Sequence, residues 1–302
     1  MSAAAVAGLA IMIVSEAATI ARIEPFYSWN TPICWTGFIL FADTIVYRAR
    51  GRSWMRSSPR EFALLAILSI PLWIVFEGYN LIIRNWYYTG LPENWFLRMF
   101  GYAWSFATIW PAIFEGADLI SVWAGRAGGA GRAGGAGWAG PAGEAGAAGG
   151  ATAAGDGRRT FPPAGHPAPC SSRGRSLSIA IGTAMLLVPF LVSRDVARYL
   201  AAPVWLGFIF LLDPINFRLG GATLMADRHR TADLLGSGLL CGVLWEMWNF
   251  WAEAKWHYTV PIMEDWKVFE MPLPGYLGFP PFALECFTMY VFVRLMFQRL
   301  GS

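Results

Sequence analysis

Trp35-Thr36-Gly37-Phe38-Ile39, followed by Asp43, Ile45, Arg48 and Gly51, decides how this chain is organised, because the chain repeats it. Trp205-Leu206-Gly207-Phe208-Ile209 is followed by Asp213, Ile215, Arg218 and Gly221, each 170 positions on (205 − 35 = 170; 221 − 51 = 170). Working outward, Glu77 and Asn80 match Glu246 and Asn249 at a shift of 169 (246 − 77 = 169). Trp86-Tyr87-Tyr88 matches Trp256-His257-Tyr258, and Pro111 with Glu115 matches Pro281 with Glu285, both at 170. Acidic residues recur together with their surroundings, so any chemistry that one copy carries is placed a second time.

The 302 residues are 56% hydrophobic and 16% aromatic. Only 14% are charged, against about a quarter in an ordinary soluble domain. Mean hydropathy is +0.43. Eight apolar segments stand out, at about 3–21, 32–47, 62–84, 100–123, 177–193, 203–217, 233–254 and 276–298. Pro71, Pro111, Pro189, Pro214 and Pro281 predict kinks or partly broken helices. The expected fold is an all-α integral membrane protein of about eight transmembrane helices. Two tandem four-helix repeats of the same orientation occupy residues 1–123 and 176–302. Between them, at 124–175, lies a Gly/Ala tract with almost no large apolar residues, expected as a disordered cytoplasmic linker. Its glycines do not hold every third position, which excludes collagen.

Arginines place the ends. Arg48, Arg50, Arg52, Arg56 and Arg60 fill one loop, Arg218, Arg228 and Arg230 another, and six more lie in the tract. The alternate loops carry fewer, offset by Glu93, Glu264, Asp265 and Glu270. By the positive-inside rule this predicts a multi-pass cell-membrane protein with both termini cytoplasmic. The N-terminus lacks a basic region and Glu16 interrupts its apolar run, so it reads as a retained helix and not as a cleaved signal.

Four cysteines and three histidines limit the chemistry. Cys34, Cys241 and Cys286 lie in apolar segments and read as small buried hydrophobes, without a disulfide framework. Too few histidines sit in helices to hold a haem, and no nucleotide, zinc or iron–sulfur motif appears. No cofactor, metal or nucleic-acid partner is expected. The expected partners are the bilayer and an apolar small molecule; homo-oligomerisation is left open.

The chemical signal is carboxylates within apolar segments. Glu77, Asn80 and Arg84 share one helix face, as do Glu246, Asn249 and Glu253. Burying such a charge costs about 2.5–3.5 kcal/mol on insertion scales, so these side chains should face the bundle interior. An Asn one turn from a Glu can hold its carboxyl through the amide. Glu115 and Glu285 each follow a Pro by four residues, beside a carbonyl that the Pro leaves without its N–H. Asp43 and Asp213 lie close to Arg48 and Arg218, which predicts an Asp–Arg staple. The glutamates admit two readings, a polar core that joins two bundles or an acid–base site. On the second, the expected catalytic set is Glu77, Asn80, Glu115, Glu246, Asn249 and Glu285, meeting in one hollow between the halves. Aromatic stretches after the third and seventh segments read either as interfacial anchors or as a lid. On the lid reading, Trp86, Tyr88, Trp256 and Tyr258 bind substrate.

Trp256-His257-Tyr258 followed by Tyr276-Leu277-Gly278-Phe279-Pro280-Pro281, Glu285 and Phe287 resembles the small-helix-bundle lycopene cyclases of carotenoid synthesis. The resemblance covers some 30 residues per half. The family places two adjacent acids after its Pro, whereas this chain has Pro-x-x-x-Glu with one. The resemblance implies a redox-neutral cyclisation. A Glu (Glu285 or Glu115) protonates a polyene carbon, aromatic faces stabilise the cation, and Glu77 or Glu246 acts as partner or base. Two alternatives remain beside this isomerase-type reading. One is a proton-coupled small-solute transporter, which internal repeats and interrupted helices fit. The other is a non-catalytic membrane subunit.

Overall fold

A computed structural model describes residues 2–126 and 171–300. The chain is mostly helical. Its long helices are α1 (Ala3–Ile20), α2 (Phe26–Arg50), α4 (Pro59–Ile83), α5 (Trp95–Trp123), α6 (Ser172–Leu191), α8 (Ala201–Arg218), α9 (Arg228–Trp251) and α10 (Phe279–Leu300). Single turns, α3 (Trp54–Ser57) and α7 (Arg194–Ala197), join them. Each of the eight apolar segments falls mainly in one of these helices. Four are long and apolar enough to cross a membrane: α1, α4, α6, and α10 with the 3-10 turn Leu273–Gly278 that leads into it. The others are diluted by the Trp, Asn and charged residues that build the interior. The linker expected at 124–175 lies largely outside the described residues.

Side-chain caps start several helices. Asn94 accepts the Phe96 and Leu97 N–H groups at 2.9 and 3.2 Å at the head of α5, and Asp227 accepts that of Arg230 at 2.8 Å at the head of α9. The repeated Gly37 and Gly207 mark close helix crossings. α1 packs on α2, and a Cβ on Gly37 would stand 2.8 Å from the Gly8 carbonyl oxygen. α6 packs on α8, where a Cβ on Gly207 would meet the Leu186 side chain at 2.7 Å and one on Gly182 the Gly207 oxygen at 2.7 Å. Small residues let these backbones touch, which is how helices associate where no water is available to drive them together. Further in, α4 packs on α5, α9 on α10, α2 on α5, and α8 on α10. α5 and α9 make the main contact between the halves, whereas α4 and α10 touch only lightly. Trp35, Phe76, Trp110, Trp248 and Tyr290 are fully buried at the core.

Two features correct the sequence reading. The fold is not purely helical. β1 (Trp86–Thr89) and β2 (Lys255–Tyr258) form an antiparallel ribbon, and β3 (Lys267–Val268) pairs with β4 (Met271–Pro272). The aromatic stretches, which sequence alone gives as loops, therefore each contain a four-residue strand, and the two strands pair with each other. Second, the expected staples to Arg48 and Arg218 do not form. Asp43 accepts the Met55 N–H at 2.9 Å and faces Arg56 at 3.3 Å. Asp213 accepts the Leu224 N–H at 2.8 Å, while Arg218 donates to Ser176. Both aspartates fix the turn after their helix, which is a backbone role that charge spacing alone does not reveal.

One end of the bundle is held by ion pairs. Asp118 collects Arg50, Arg230 and the Trp54 indole N–H, tying α2, the α3 turn and α9 to α5. Arg294 of α10 pairs with Glu61 of α4 at 2.7 Å, and Arg126 pairs with Asp233.

Candidate functional site

The β1–β2 ribbon sets the geometry of the site. Its register pairs Trp86 with Tyr258, Tyr87 with His257, and Tyr88 with Trp256. Because strand side chains alternate, Trp86, Tyr88, Trp256 and Tyr258 all point to one face. Tyr87 and His257 stack on the other, 5.3 Å apart. Asparagines hold the strands to their helices. Asn80 accepts the Asn85 and Trp86 N–H groups and donates to the Trp86 carbonyl at 2.8 Å. Asn249 accepts the Trp256 N–H at 2.9 Å and donates to the Trp256 carbonyl at 2.8 Å. Their amides therefore hold backbone; they do not hold the neighbouring glutamates, which corrects the expectation for this pair.

Beneath the ribbon lies a cavity of about 510 Å³. Trp86, Tyr88, Trp256 and Tyr258 line it, together with Trp35, Trp73, Trp205, Trp245, Tyr102, Phe106 and Phe282. Trp73 is the hub of this wall, with the rings of Phe76, Trp86, Phe106, Trp205, Trp245 and Phe282 between 5.7 and 6.5 Å away. Phe76 stacks on Trp205 at 5.1 Å. Such a wall offers many π faces and few polar groups.

Two glutamates stand directly behind the wall. Glu77 Oε1 accepts the Tyr88 hydroxyl at 2.5 Å, the Trp73 indole N–H at 2.9 Å and the Trp86 indole N–H at 3.3 Å. Glu246 Oε1 accepts the Tyr258 hydroxyl at 2.9 Å, and Tyr258 in turn accepts the Trp256 indole N–H at 2.9 Å. Glu246 is fully buried, and among the described residues its Oε2 has no hydrogen-bond donor. Each carboxyl thus reaches the cavity through a tyrosine.

Glu115 and Glu285 do not join them. Neither lines the cavity, and both are fully buried elsewhere. Among the described residues neither carboxyl oxygen of Glu115 receives a hydrogen bond from an N–H or O–H donor, and its charged neighbours are Asp118, Asp43 and Arg230. Glu285 Oε1 accepts the Phe208 N–H at 3.3 Å and its Oε2 has no donor. The expected single hollow shared by six polar residues is corrected accordingly. Spacing from a Pro fixes which face of a helix a Glu occupies, but not which neighbour that face meets.

Trp73, Trp205, Trp245, Tyr102, Arg98 and Phe282 were missed as site residues. Two of them carried a signal. Trp73 precedes Glu77 by four residues and so shares its helix face, and Trp205 opens the second copy of the repeated stretch. Among the described residues, no three His, Cys, Asp or Glu side chains are grouped to hold a metal ion. Cys34, Cys241 and Cys286 are free and buried. Outside the helices, Lys255 and His257 of the ribbon bind Glu270 at 2.9 and 3.1 Å. Burial pushes the Glu270 carboxyl up, but these two partners outweigh it and hold it below the usual carboxylate range.

Searches against protein-family models, curated proteins and solved structures found no match for this chain.

Proposed function

We propose that this chain is a multi-pass membrane protein that performs redox-neutral acid–base chemistry, of the cyclase or isomerase type, on an apolar isoprenoid-like molecule held in the aromatic cavity. The observation that carries the reading is the pair of Tyr–Glu couples, Tyr88–Glu77 and Tyr258–Glu246, whose tyrosines line the cavity while the carboxyls stand behind. Each couple is a short proton relay. On the acid side, Glu246 gives a proton to the Tyr258 oxygen as Tyr258 gives its own to a substrate double bond. The resulting carbocation is stabilised by the faces of Trp73, Trp205 and Trp245. On the base side, the Tyr88 oxygen takes a proton from a neighbouring carbon as its own passes to Glu77, and the double bond re-forms. One proton enters the substrate and one leaves it, so no redox partner is needed; before the next turnover Glu246 regains a proton from water and Glu77 gives one up to it. Apolar walls keep out the water that would otherwise capture the cation.

The same reading places the protein across the membrane as two four-helix repeats of like orientation, with the arginine-rich end and both termini in the cytoplasm. Recurring contacts support it. Gly8–Gly37 and Gly182–Gly207, Asp43–Met55 and Asp213–Leu224, and Asn80–Trp86 and Asn249–Trp256 are matched pairs. So are the two Tyr–Glu couples, and the ribbon register is symmetric about Tyr87 and His257.

Membranes containing the protein, supplied with a panel of acyclic polyenes and prenyl compounds in deuterated water, test the chemistry. The expected result is an isomer of the substrate that carries one deuterium. Absence of any isomerised, labelled product across the panel overturns the reading. A transporter reading draws on Glu115 beside Asp43 and Asp118, away from the cavity. It requires proton flux in proteoliposomes that Glu115→Gln abolishes.

A further inference from the structure

Among the described residues, Arg98 is the one charged residue that lines the aromatic cavity. It lies in the first turn of α5, where a cation opposes the helix dipole, and no acid accompanies it in that turn. Helix stability therefore gives no reason for an arginine here. Among the described residues no carboxylate comes within ion-pair distance of it. Its side-chain hydrogen bond runs from Nε to the Pro92 carbonyl at 2.9 Å, and Pro92 also lines the cavity. That bond fixes the plane of the guanidinium and leaves the two terminal nitrogens open, in the fork that matches a carboxylate or phosphate oxygen pair.

We propose that the cavity takes an amphiphile, an apolar chain with one anionic oxygen head, and that Arg98 holds the head. This deepens the function proposed above and rests on it. The layout gives the molecule a direction. Tyr102 follows Arg98 by one helical turn, and its ring lies 5.6 Å from that of Tyr88, which is bonded to Glu77. The Tyr88–Glu77 couple thus stands on the order of 10 Å from the head, at a rise of about 1.5 Å per helical residue. The atoms that react belong to the tail.

Protein purified in a non-ionic detergent free of phospholipid is titrated with dibromostearate and with the matching dibromostearyl alcohol, at about pH 8.5 so that the acid is ionised. Bromine quenching of tryptophan reports chain entry. The wild type is expected to bind the acid about tenfold more tightly than the alcohol, the worth of one charge-assisted contact. Arg98→Gln should bind both like the alcohol, and Arg98→Lys should recover part of the preference. Equal binding of acid and alcohol by the wild type overturns the Arg98 proposal while leaving the apolar chamber intact. If neither probe quenches, the chamber reading fails with it. A last arm adds phosphatidylglycerol. If this two-chain lipid displaces the acid at equal concentration, Arg98 serves a bilayer headgroup and the proposal is overturned.

Discussion

Glu77 and Glu246 occupy matching positions in the sequence, yet they are not equally provided for. Glu77 gathers three donors on one oxygen, from Trp73, Trp86 and Tyr88. Glu246 has Tyr258 on one oxygen, while the other is buried without a donor. The contrast teaches that a repeated stretch of sequence need not keep equal surroundings for its repeated carboxyl groups. Under the function proposed above, the two couples, with their different sets of donors, are the side that releases a proton and the side that receives it. A similar divergence separates Glu115, set among Asp43, Asp118 and Arg230, from Glu285, which meets only the Phe208 N–H.

The largest expected effect breaks this comparison directly. Glu246→Gln and Glu77→Gln should each lower turnover by about 10²-fold or more, the range of general acid–base catalysis. If the division of labour holds, only Glu246→Gln abolishes deuterium entry at the carbon protonated first, as mass spectrometry of the product reads. Equal labelling defects in both variants remove the directionality.

Two stability comparisons follow. Gly37→Ala presses a Cβ against a backbone oxygen, whereas Gly207→Ala meets the movable end of Leu186. The first should cost about 1–3 kcal/mol and the second less, as thermal unfolding in detergent measures. Asn80→Ala removes two hydrogen bonds to β1 and one to Asn85 just before it, and Asn249→Ala removes two to β2. Each should cost about 1–3 kcal/mol, with Asn80→Ala the greater; the reverse order would show that β2 depends more on its helix than β1 does.

The smallest effect concerns pH. Glu270 is held below the usual carboxylate range in the folded protein, so its contribution is present above about pH 4.3, its ordinary unfolded value, and is lost as pH falls through the lower folded value. Glu270→Gln should remove that dependence and cost under about 1 kcal/mol, read from melting curves across this range. β1 has no such ion pair, so acidification should loosen the β2 side first.

Much of this architecture could be read from residue order. The apolar segments all lie in helices, and Gly37, Asp43, Asn80 and their counterparts recur because each performs a local task that any second copy must repeat. Local tasks are legible since spacing along one helix or turn determines them. The ribbon was not, because its strands lie about 170 residues apart and each is short enough to pass for an aromatic loop. Asp118 lies one turn beyond Glu115 on α5 and was legible from spacing, but Asp43, Arg230 and Phe208 were not, since they come from α2, α9 and α8 and depend on how whole helices pack. The interior role of Trp73 became visible only with the cavity, as one tryptophan among sixteen carries little information alone.

The ribbon has a consequence for how the gene can be divided. β1 precedes residues 127–170 and β2 follows them, so its rungs run between pieces that a break in that interval would leave covalently separate. Two polypeptides, one stopping at 126 and one starting at 171, together retain all the lining found among the described residues, and backbone pairing plus the α5–α9 contact gives them a way to find each other. Neither fragment encloses a chamber by itself. Two co-expressed parts that purify as one complex, held by the strand pairing and the helix contact, are the behaviour this seam predicts.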